Sequence, residues 1–159
     1  MLVLSPLLVP LFTALLTALL ARQPVLRRGV SLLGAAALLA CAILLLLEVV
    51  QGGRQSVALG NWPLPYAIEF AADALSAALV LLTAIVGAGV LLATLRWGET
   101  AEAGAGLHPL LHGLLAATGA VFLAADLFNL YVWFELMLIS VLGLLVLGGK
   151  RRHGEAAFK

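Results

Sequence analysis

Long apolar runs separated by short polar connections dominate the pattern of this chain. Five of the runs are long enough to cross a bilayer, which takes ~20 residues of helix because the hydrocarbon core is ~30 Å thick. They fall at about 2–21, 30–50, 70–95, 109–125 and 127–147. The pattern predicts an all-α integral membrane protein with about five transmembrane helices, in which residues 1–159 form a single transmembrane module.

Composition agrees with this prediction. Hydrophobic residues make up 64% of the chain, charged residues 11%, and the mean hydropathy is +1.15, whereas soluble domains are ~25% charged. The single cysteine, Cys41, lies in an apolar run, so neither a disulfide framework nor a thiolate metal site is expected. The sequence contains no nicotinamide, flavin, quinone or iron-sulfur motif and no nucleic-acid signature, so we expect neither a cofactor nor a metal.

The connections differ in their content of basic residues. Arg22, Arg27 and Arg28 follow the first run, and Lys150, Arg151 and Arg152 follow the fifth. Because cytoplasmic loops are enriched in Lys and Arg, we expect both segments inside, the N-terminus outside and residue 159 in the cytoplasm.

Two acids stand at predicted helix starts on the outer side. Residues 61–66 contain two prolines, a tryptophan and a tyrosine, which predicts a partly extended lid on the membrane surface. Asp73 then begins the third helix, where it would cap free N–H groups; the alternative is a polar contact at the mouth of a proton path or with a neighbouring subunit. Asp126 occupies a very tight turn before the fifth helix and is interpreted as a cap.

Glu135 is the main candidate for chemistry, because Leu127–Leu147 otherwise carries no charge. Placing an ionisable group inside a membrane helix costs a few kcal/mol or more, so its default interpretation is a proton or cation site. Its helical neighbours include Tyr131 and Ile139, and no Lys or Arg of this chain lies at membrane depth. Glu135 is therefore neutral at rest or has its partner supplied from elsewhere; the alternative is a carboxyl that only packs against another helix.

His108 and His112 lie one helical turn apart at the predicted cytoplasmic start of the fourth helix. Histidine titrates near neutral pH, so one interpretation is proton uptake, and the other is packed or interfacial histidine. A metal site is disfavoured, since further ligands do not recur at suitable spacing. The secondary candidates for the site are Asp73, His112, Asp126 and Tyr131.

Several segments together support a resemblance to a known family. They are Leu-Gly-Asn-Trp at 59–62 with Pro65, Ala-Asp-Ala-Leu-Ser at 72–76, His-Pro-Leu at 108–110, and above all Asp-Leu-Phe-Asn-Leu-Tyr-Val-Trp-Phe-Glu at 126–135. They resemble the N-terminal part of the D subunit of Mrp-type multisubunit Na⁺/H⁺ antiporters, over essentially the whole chain. A looser version occurs in the antiporter-like membrane subunits of complex I and of membrane-bound hydrogenases.

The resemblance implies a subunit of about fourteen helices with an inverted repeat, of which this chain matches the first five. It implies that Glu135 pairs with a lysine on the seventh helix and carries protons. The partners would be other subunits of a multisubunit complex, the later helices, protons and Na⁺, in the plasma membrane of a prokaryote. Residues 155–159 look like the first turn of a further helix, so we expect a fragment or a split reading frame.

The function expected from these observations is a non-enzymatic one: a membrane subunit of a monovalent cation/proton antiporter. One alternative has the same fold in a different complex: a proton-pumping subunit of a respiratory NADH:quinone oxidoreductase or hydrogenase. Another alternative is a small scaffold or assembly protein that transports nothing, in which Glu135 is only a buried polar contact.

Overall fold

The computed structural model describes the backbone of residues 2–60, 67–97 and 101–147, and the side chains of these residues except 95–97 and 101–104. A 3-10 turn at Leu2–Leu4 leads into α1 (Ser5–Leu19), α2 (Pro24–Gly52), strands β1 (Gln55–Leu59) and β2 (Ile68–Ala72), α3 (Ala74–Trp97), α4 (Ala101–Leu123) and α5 (Leu127–Leu147). Five helices are long and apolar enough to cross a membrane, which confirms the predicted number.

Helix α4 lies at the centre of the bundle. It packs against α1, α2, α3 and α5, and half of its apolar window is buried inside the protein. The main core joins α1, α2, α3 and α4 through side chains such as Leu7, Leu45, Val80 and Leu115. Since lipid tails are as apolar as these side chains, close packing rather than water exclusion must hold the helices together.

Glycines allow that close packing at several helix crossings. A Cβ atom at Gly34 of α2 would collide with the Thr13 side chain of α1, and one at Gly87 of α3 would lie 2.5 Å from Leu115 of α4. Across α4 and α5, a Cβ atom at Gly113 would lie 3.2 Å from the hydroxyl of Ser140. Small residues at such crossings let backbones approach, as is common between membrane helices.

The connection between α2 and α3 is a β-hairpin. Gly53 ends α2 with a φ of 77°, a left-handed conformation that favours glycine. Strands β1 and β2 then pair antiparallel, from Gln55 opposite Ala72 to Leu59 opposite Ile68. The predicted partly extended segment is thus flanked by strands, while residues 61–66, on which that prediction was made, lie outside the described residues.

The hairpin also shifts a predicted boundary. The third apolar run was placed at about 70–95 with its helix beginning at Asp73, and α3 does begin at Ala74. The first residues of the run, however, belong to β2, where Phe70 is 2% exposed and forms a bridge with Ala124 in the α4–α5 turn. A short apolar run does not by itself distinguish a strand from a helix. Helix α4 likewise begins at Ala101 rather than near residue 109, and therefore contains Pro109.

Candidate functional site

The start of α5 is tied to strand β2 by side-chain hydrogen bonds. Asp126 caps α5, since its Oδ1 accepts a hydrogen bond from the Asn129 N–H at 2.7 Å, while its Oδ2 accepts one from the Glu69 N–H at 3.0 Å. The Asn129 side chain donates to the Glu69 carbonyl at 3.1 Å and accepts from the Trp133 indole at 2.7 Å. Trp133 in turn packs on Phe70, with ring centroids 6.4 Å apart. These contacts, which we call the β2–α5 clamp, fix the rotation of α5.

Glu135 follows one turn after the β2–α5 clamp. Its side chain is half-buried, and a side-chain hydrogen bond connects it with the hydroxyl of Tyr131, one turn earlier on the same helix. Tyr131 is itself 62% exposed. The structure therefore gives Glu135 a hydroxyl donor on an open helix face.

Two other hydroxyls that the sequence offers to Glu135 have different surroundings. Thr118 of α4 donates to the Leu114 carbonyl at 2.8 Å. Ser140 is buried, at 2% exposure, and lies against Gly113 of α4. Only 6% of the apolar window of α5 is buried inside the described bundle, so most of the surface around Glu135 faces outward from these five helices.

Asp73 caps α3 through a reciprocal pair of bonds with Ser76. Its Oδ1 accepts a hydrogen bond from the Ser76 N–H at 2.8 Å, and the Ser76 hydroxyl accepts one from the Asp73 N–H at 2.8 Å. The bond from the Ser76 N–H lowers the pKa of the Asp73 carboxyl below its usual value. This exposed acid is thus satisfied by the start of its own helix, and the structure does not bring it together with Glu135.

A second polar cluster, which the sequence did not reveal as a unit, is buried between α2 and α4. The hydroxyl of Ser31 lies 2.8 Å from Nδ1 of His108 and 2.9 Å from Nε2 of His112. All three residues are at most 1% exposed. Arg27, one turn before Ser31, is also fully buried and donates from Nη1 to the Ala21 carbonyl at 2.7 Å.

Sequence reasoning singled out both histidines but missed Ser31 and the burial of Arg27. A serine in an apolar helix commonly bonds to its own backbone, so its position alone carries no signal. Arg27 was assigned to a polar connection, whereas α2 begins before it at Pro24. Among the residues that the structure describes, no three His, Cys, Asp or Glu side chains lie together as a metal site would require.

The fold and its polar groups define the class of protein: a multi-pass membrane protein with a carboxyl group in the middle of its fifth helix. Comparison of sequences narrows this class. The chain is 39% identical over 150 residues to the D subunit of the Na⁺/H⁺ antiporter of Bacillus subtilis (strain 168), a match that covers 94% of this chain and 30% of that protein. It is 35% identical over 158 residues to the protein of the same name from Alkalihalophilus pseudofirmus, covering 99% and 32%.

Related membrane complexes also match. The N subunit of the NADH-quinone oxidoreductase of Desulforudis audaxviator is 34% identical over 149 residues, covering 90% of this chain and 29% of that protein. A chain of the membrane-bound sulfane sulfur reductase, an archaeal respiratory membrane complex, superposes with a TM-score of 0.74 at 20% identity, covering 98% of this chain and 24% of that one. That likeness shows a shared fold. No protein-family profile matches the chain.

The chain is therefore similar over nearly its whole length to antiporter-like membrane subunits. Within them, the predicted resemblance to the N-terminal part of the D subunit of Mrp-type Na⁺/H⁺ antiporters is confirmed. The chain spans about a third of the length of the curated relatives that it matches.

Proposed function

We propose that this chain is a membrane subunit of a monovalent cation/proton antiporter and that Glu135 carries protons. The observation that carries the proposal is the position of Glu135: an ionisable group in the middle of α5, on a helix that the described bundle covers very little. Intramembrane carboxyl groups mark proton and ion pathways in transporters. Two of the relatives are named as Na⁺/H⁺ antiporter subunits, which supports a monovalent cation and a proton as the ions that are exchanged.

The mechanism is electrostatic. A positive charge near Glu135 stabilises the carboxylate, and withdrawal of that charge leaves a poorly solvated carboxylate that takes up a proton. The Tyr131 hydroxyl donates to the ionised form but cannot neutralise it. The positive charge would be a lysine from a helix outside these five, so movement of that lysine is coupled to proton transfer at Glu135.

The β2–α5 clamp gives this mechanism a fixed reference. Since Asp126 and Asn129 both bond to Glu69, α5 cannot rotate or slide without breaking several hydrogen bonds. Holding Glu135 in place makes its ionisation depend on the approach of the partner charge rather than on motion of its own helix. Asp126 and Asp73 act as helix caps and Tyr131 as a positioning residue.

The five helices work within a larger membrane assembly in this proposal. The relatives are subunits, and each is about three times as long as this chain, so other helices and other subunits would complete the transport path. The basic residues of the first connection and of the segment after α5 support a cytoplasmic position for both in a prokaryotic plasma membrane, with the N-terminus outside.

A second candidate function is supported by the NADH-quinone oxidoreductase relative and by the shared fold with a respiratory complex. In that case the same carboxyl would move protons in a redox-driven pump. Everted membrane vesicles distinguish the two, because an antiporter dissipates a pre-formed proton gradient on addition of Na⁺ or K⁺, whereas a pump builds one on addition of an electron donor.

Substitution of Glu135 tests the role of the carboxyl. Glu135→Gln keeps the size and hydrogen bonding of the side chain but cannot ionise, so cation-dependent proton exchange in vesicles should fall by about 100-fold or more, with the complex still assembled. Glu69→Gln is the matched control, because the clamp uses the backbone of Glu69; it should retain exchange. Wild-type exchange in the Glu135→Gln complex would refute proton carriage by this residue.

A further inference from the structure

The cluster of Ser31, His108 and His112 is left unused by the proposed function. It joins α2 and α4 through one serine hydroxyl that is within hydrogen-bond distance of a ring nitrogen of each histidine. Its members come from positions 77 and 81 residues apart in sequence. Two titratable rings connected by a hydroxyl, all buried, form a continuous hydrogen-bonded chain.

The directions of the bonds follow from a third contact. His112 Nε2 lies 3.2 Å from the backbone carbonyl oxygen of Ser31, and a carbonyl oxygen can only accept. Nε2 of His112 therefore carries a hydrogen, which it shares between the Ser31 carbonyl and the Ser31 hydroxyl oxygen. Because the Ser31 oxygen accepts this hydrogen, the hydroxyl hydrogen is available to Nδ1 of His108, which lies 2.8 Å away.

This arrangement leaves an acceptor without a donor. A neutral imidazole protonated at Nε2 has a bare Nδ1, and Nδ1 of His112 is buried without a hydrogen-bond partner among the described residues. An unsatisfied buried polar atom is costly and rare in native structures. A proton, or a water molecule that delivers one, would satisfy it.

We propose that Ser31, His108 and His112 form a proton relay between α2 and α4. A proton binds Nδ1 of His112, and the Nε2 proton of His112 passes to the Ser31 hydroxyl oxygen. The original hydroxyl proton passes to Nδ1 of His108, and the proton on Nε2 of His108 is released. One proton enters and one leaves, so charge and atoms balance, and transport in the opposite direction uses the same bonds.

The relay has a built-in bias towards its starting state. After transfer, Nε2 of His112 is bare and faces the Ser31 carbonyl, so two acceptors meet 3.2 Å apart. This contact is unfavourable. It is relieved when His112 loses its Nδ1 proton and gains one on Nε2, and the same exchange at His108, with rotation of the Ser31 hydroxyl, restores the starting state. The cluster is therefore suited to passing protons rather than to storing them.

The charges around the relay support the same role. Arg27 of α2 lies one turn before Ser31 and is fully buried. Helix α1 presents the hydroxyls of Thr13 and Thr17 and no ionisable side chain, and the described side chains of α3, at residues 74–94, include none. The titratable groups of α5 are Tyr131 and Glu135, and those of α2 besides Arg27 are Arg28, Cys41 and Glu48. Among the described side chains, His108 and His112 are the ionisable groups that bond to the Ser31 hydroxyl.

The relay lies where it could pass protons towards Glu135. This part of the inference rests on the proposed function of Glu135. His108 lies one turn nearer the start of α4 than His112, at the end of the bundle that also holds the start of α2 and the basic connection before it. Ser140 of α5 packs against Gly113, the residue after His112. The relay thus connects the basic end of the bundle with the interface between α4 and α5.

Nuclear magnetic resonance of ¹⁵N-histidine tests the bond directions without reference to transport. The chain contains three histidines, and spectra of His108→Gln and His112→Gln complexes assign the signals. We expect His112 to carry its proton on Nε2 at neutral pH and His108 to have Nδ1 as an acceptor. A proton on Nδ1 of resting His112 would overturn the relay, even if Glu135→Gln abolishes exchange.

Exchange kinetics in the assembled complex test the transfer itself. Ser31→Ala should slow cation-dependent proton exchange by about 10-fold or more, while Ser31→Thr, which keeps the hydroxyl, should retain it. Thr17→Val is the matched control, because it removes a fully buried hydroxyl that bonds only to the backbone of α1 at 2.8 and 3.0 Å. Exchange at the wild-type rate in Ser31→Ala would refute the relay and leave the role of Glu135 standing.

Chemical rescue separates proton transfer from packing. His112→Ala leaves a cavity beside Ser31, and added imidazole should restore part of the lost exchange by taking over the ring. Leu111→Ala makes a cavity at the neighbouring α4 position, where the side chain is 6% exposed, and imidazole should have no effect there. If imidazole leaves an assembled His112→Ala complex unchanged, the histidine acts only in packing and the proposal fails.

Discussion

Helices α4 and α5 are neighbours in sequence but differ sharply in how much of each is buried by the other helices. A three-residue turn separates them, and both are predominantly apolar. Half of the apolar window of α4 is buried inside the described bundle, against 6% for α5. The histidines of α4 have their hydrogen-bond partners on α2, whereas the described contact of Glu135 is with Tyr131 on its own helix.

This difference separates a completed site from an open one. The five helices supply both packing and hydrogen bonds to α4, so its polar chemistry can be set by this chain alone. For α5 they fix only the first turns, through the β2–α5 clamp, and leave the surface beyond Glu135 open. The chain thus leaves the carboxyl group of Glu135 on a positioned helix that the described bundle covers very little.

The largest effect expected from this comparison is a difference in stability between matched leucine truncations. Leu115 of α4 is 6% exposed and packs against Gly87, whereas Leu138 of α5 is 41% exposed. Leu115→Ala should lower the free energy of unfolding by about 3 kcal/mol, because neighbouring side chains cannot fill the cavity. Leu138→Ala should cost well under half of that, since lipid replaces the lost contacts.

Titration with SDS in mixed micelles, followed by far-UV circular dichroism, measures both changes. If the two truncations lower the free energy of unfolding equally, α5 is packed as tightly as α4 and the proposed difference between the two helices is wrong.

A smaller effect is expected at the β2–α5 clamp, which is the part of α5 that the bundle does hold. Asn129 is 3% exposed and makes two side-chain hydrogen bonds, to the Glu69 carbonyl and from the Trp133 indole. Asn129→Leu should cost about 2 kcal/mol, because the Trp133 indole loses its acceptor and the Glu69 carbonyl keeps only its bond from the Ala125 N–H. The Trp133 fluorescence should shift to the red in a background where Trp62 and Trp97 are phenylalanine.

Phe128→Leu is the control for this substitution. Phe128 precedes Asn129 but is 68% exposed, so its truncation should leave both the stability and the Trp133 spectrum close to those of the wild type. A similar red shift in Phe128→Leu would show that the spectrum reports general loosening of α5 rather than loss of the clamp.

The same comparison shows what could be predicted from sequence. The five helices and Glu135 could be predicted from local sequence. A bilayer requires long apolar segments and makes a charged residue within one of them costly, so both features stand out in the sequence. The strand at Phe70 was not, since its pairing with Val57 and its bridge to Ala124 depend on residues distant in the chain. Ser31 was missed for the same reason: its histidine partners lie about eighty residues away.

The smallest effect concerns Asp73, an exposed acid whose partner lies three residues away. The Ser76 N–H lowers the pKa of this carboxyl in the folded protein, so the capping bond contributes stability above the unfolded pKa of about 4. That contribution is lost as the pH falls through the lower folded-state pKa. Asp73→Asn keeps an acceptor oxygen without the charge, so it should be slightly less stable than the wild type near neutral pH.

The difference should vanish in acid, once the wild-type carboxyl is protonated. Parallel SDS titrations of the wild type and Asp73→Asn at several pH values would measure this convergence. A gap between wild type and Asp73→Asn that persists at the lowest pH would mean that the charge on Asp73 is not what stabilises the start of α3.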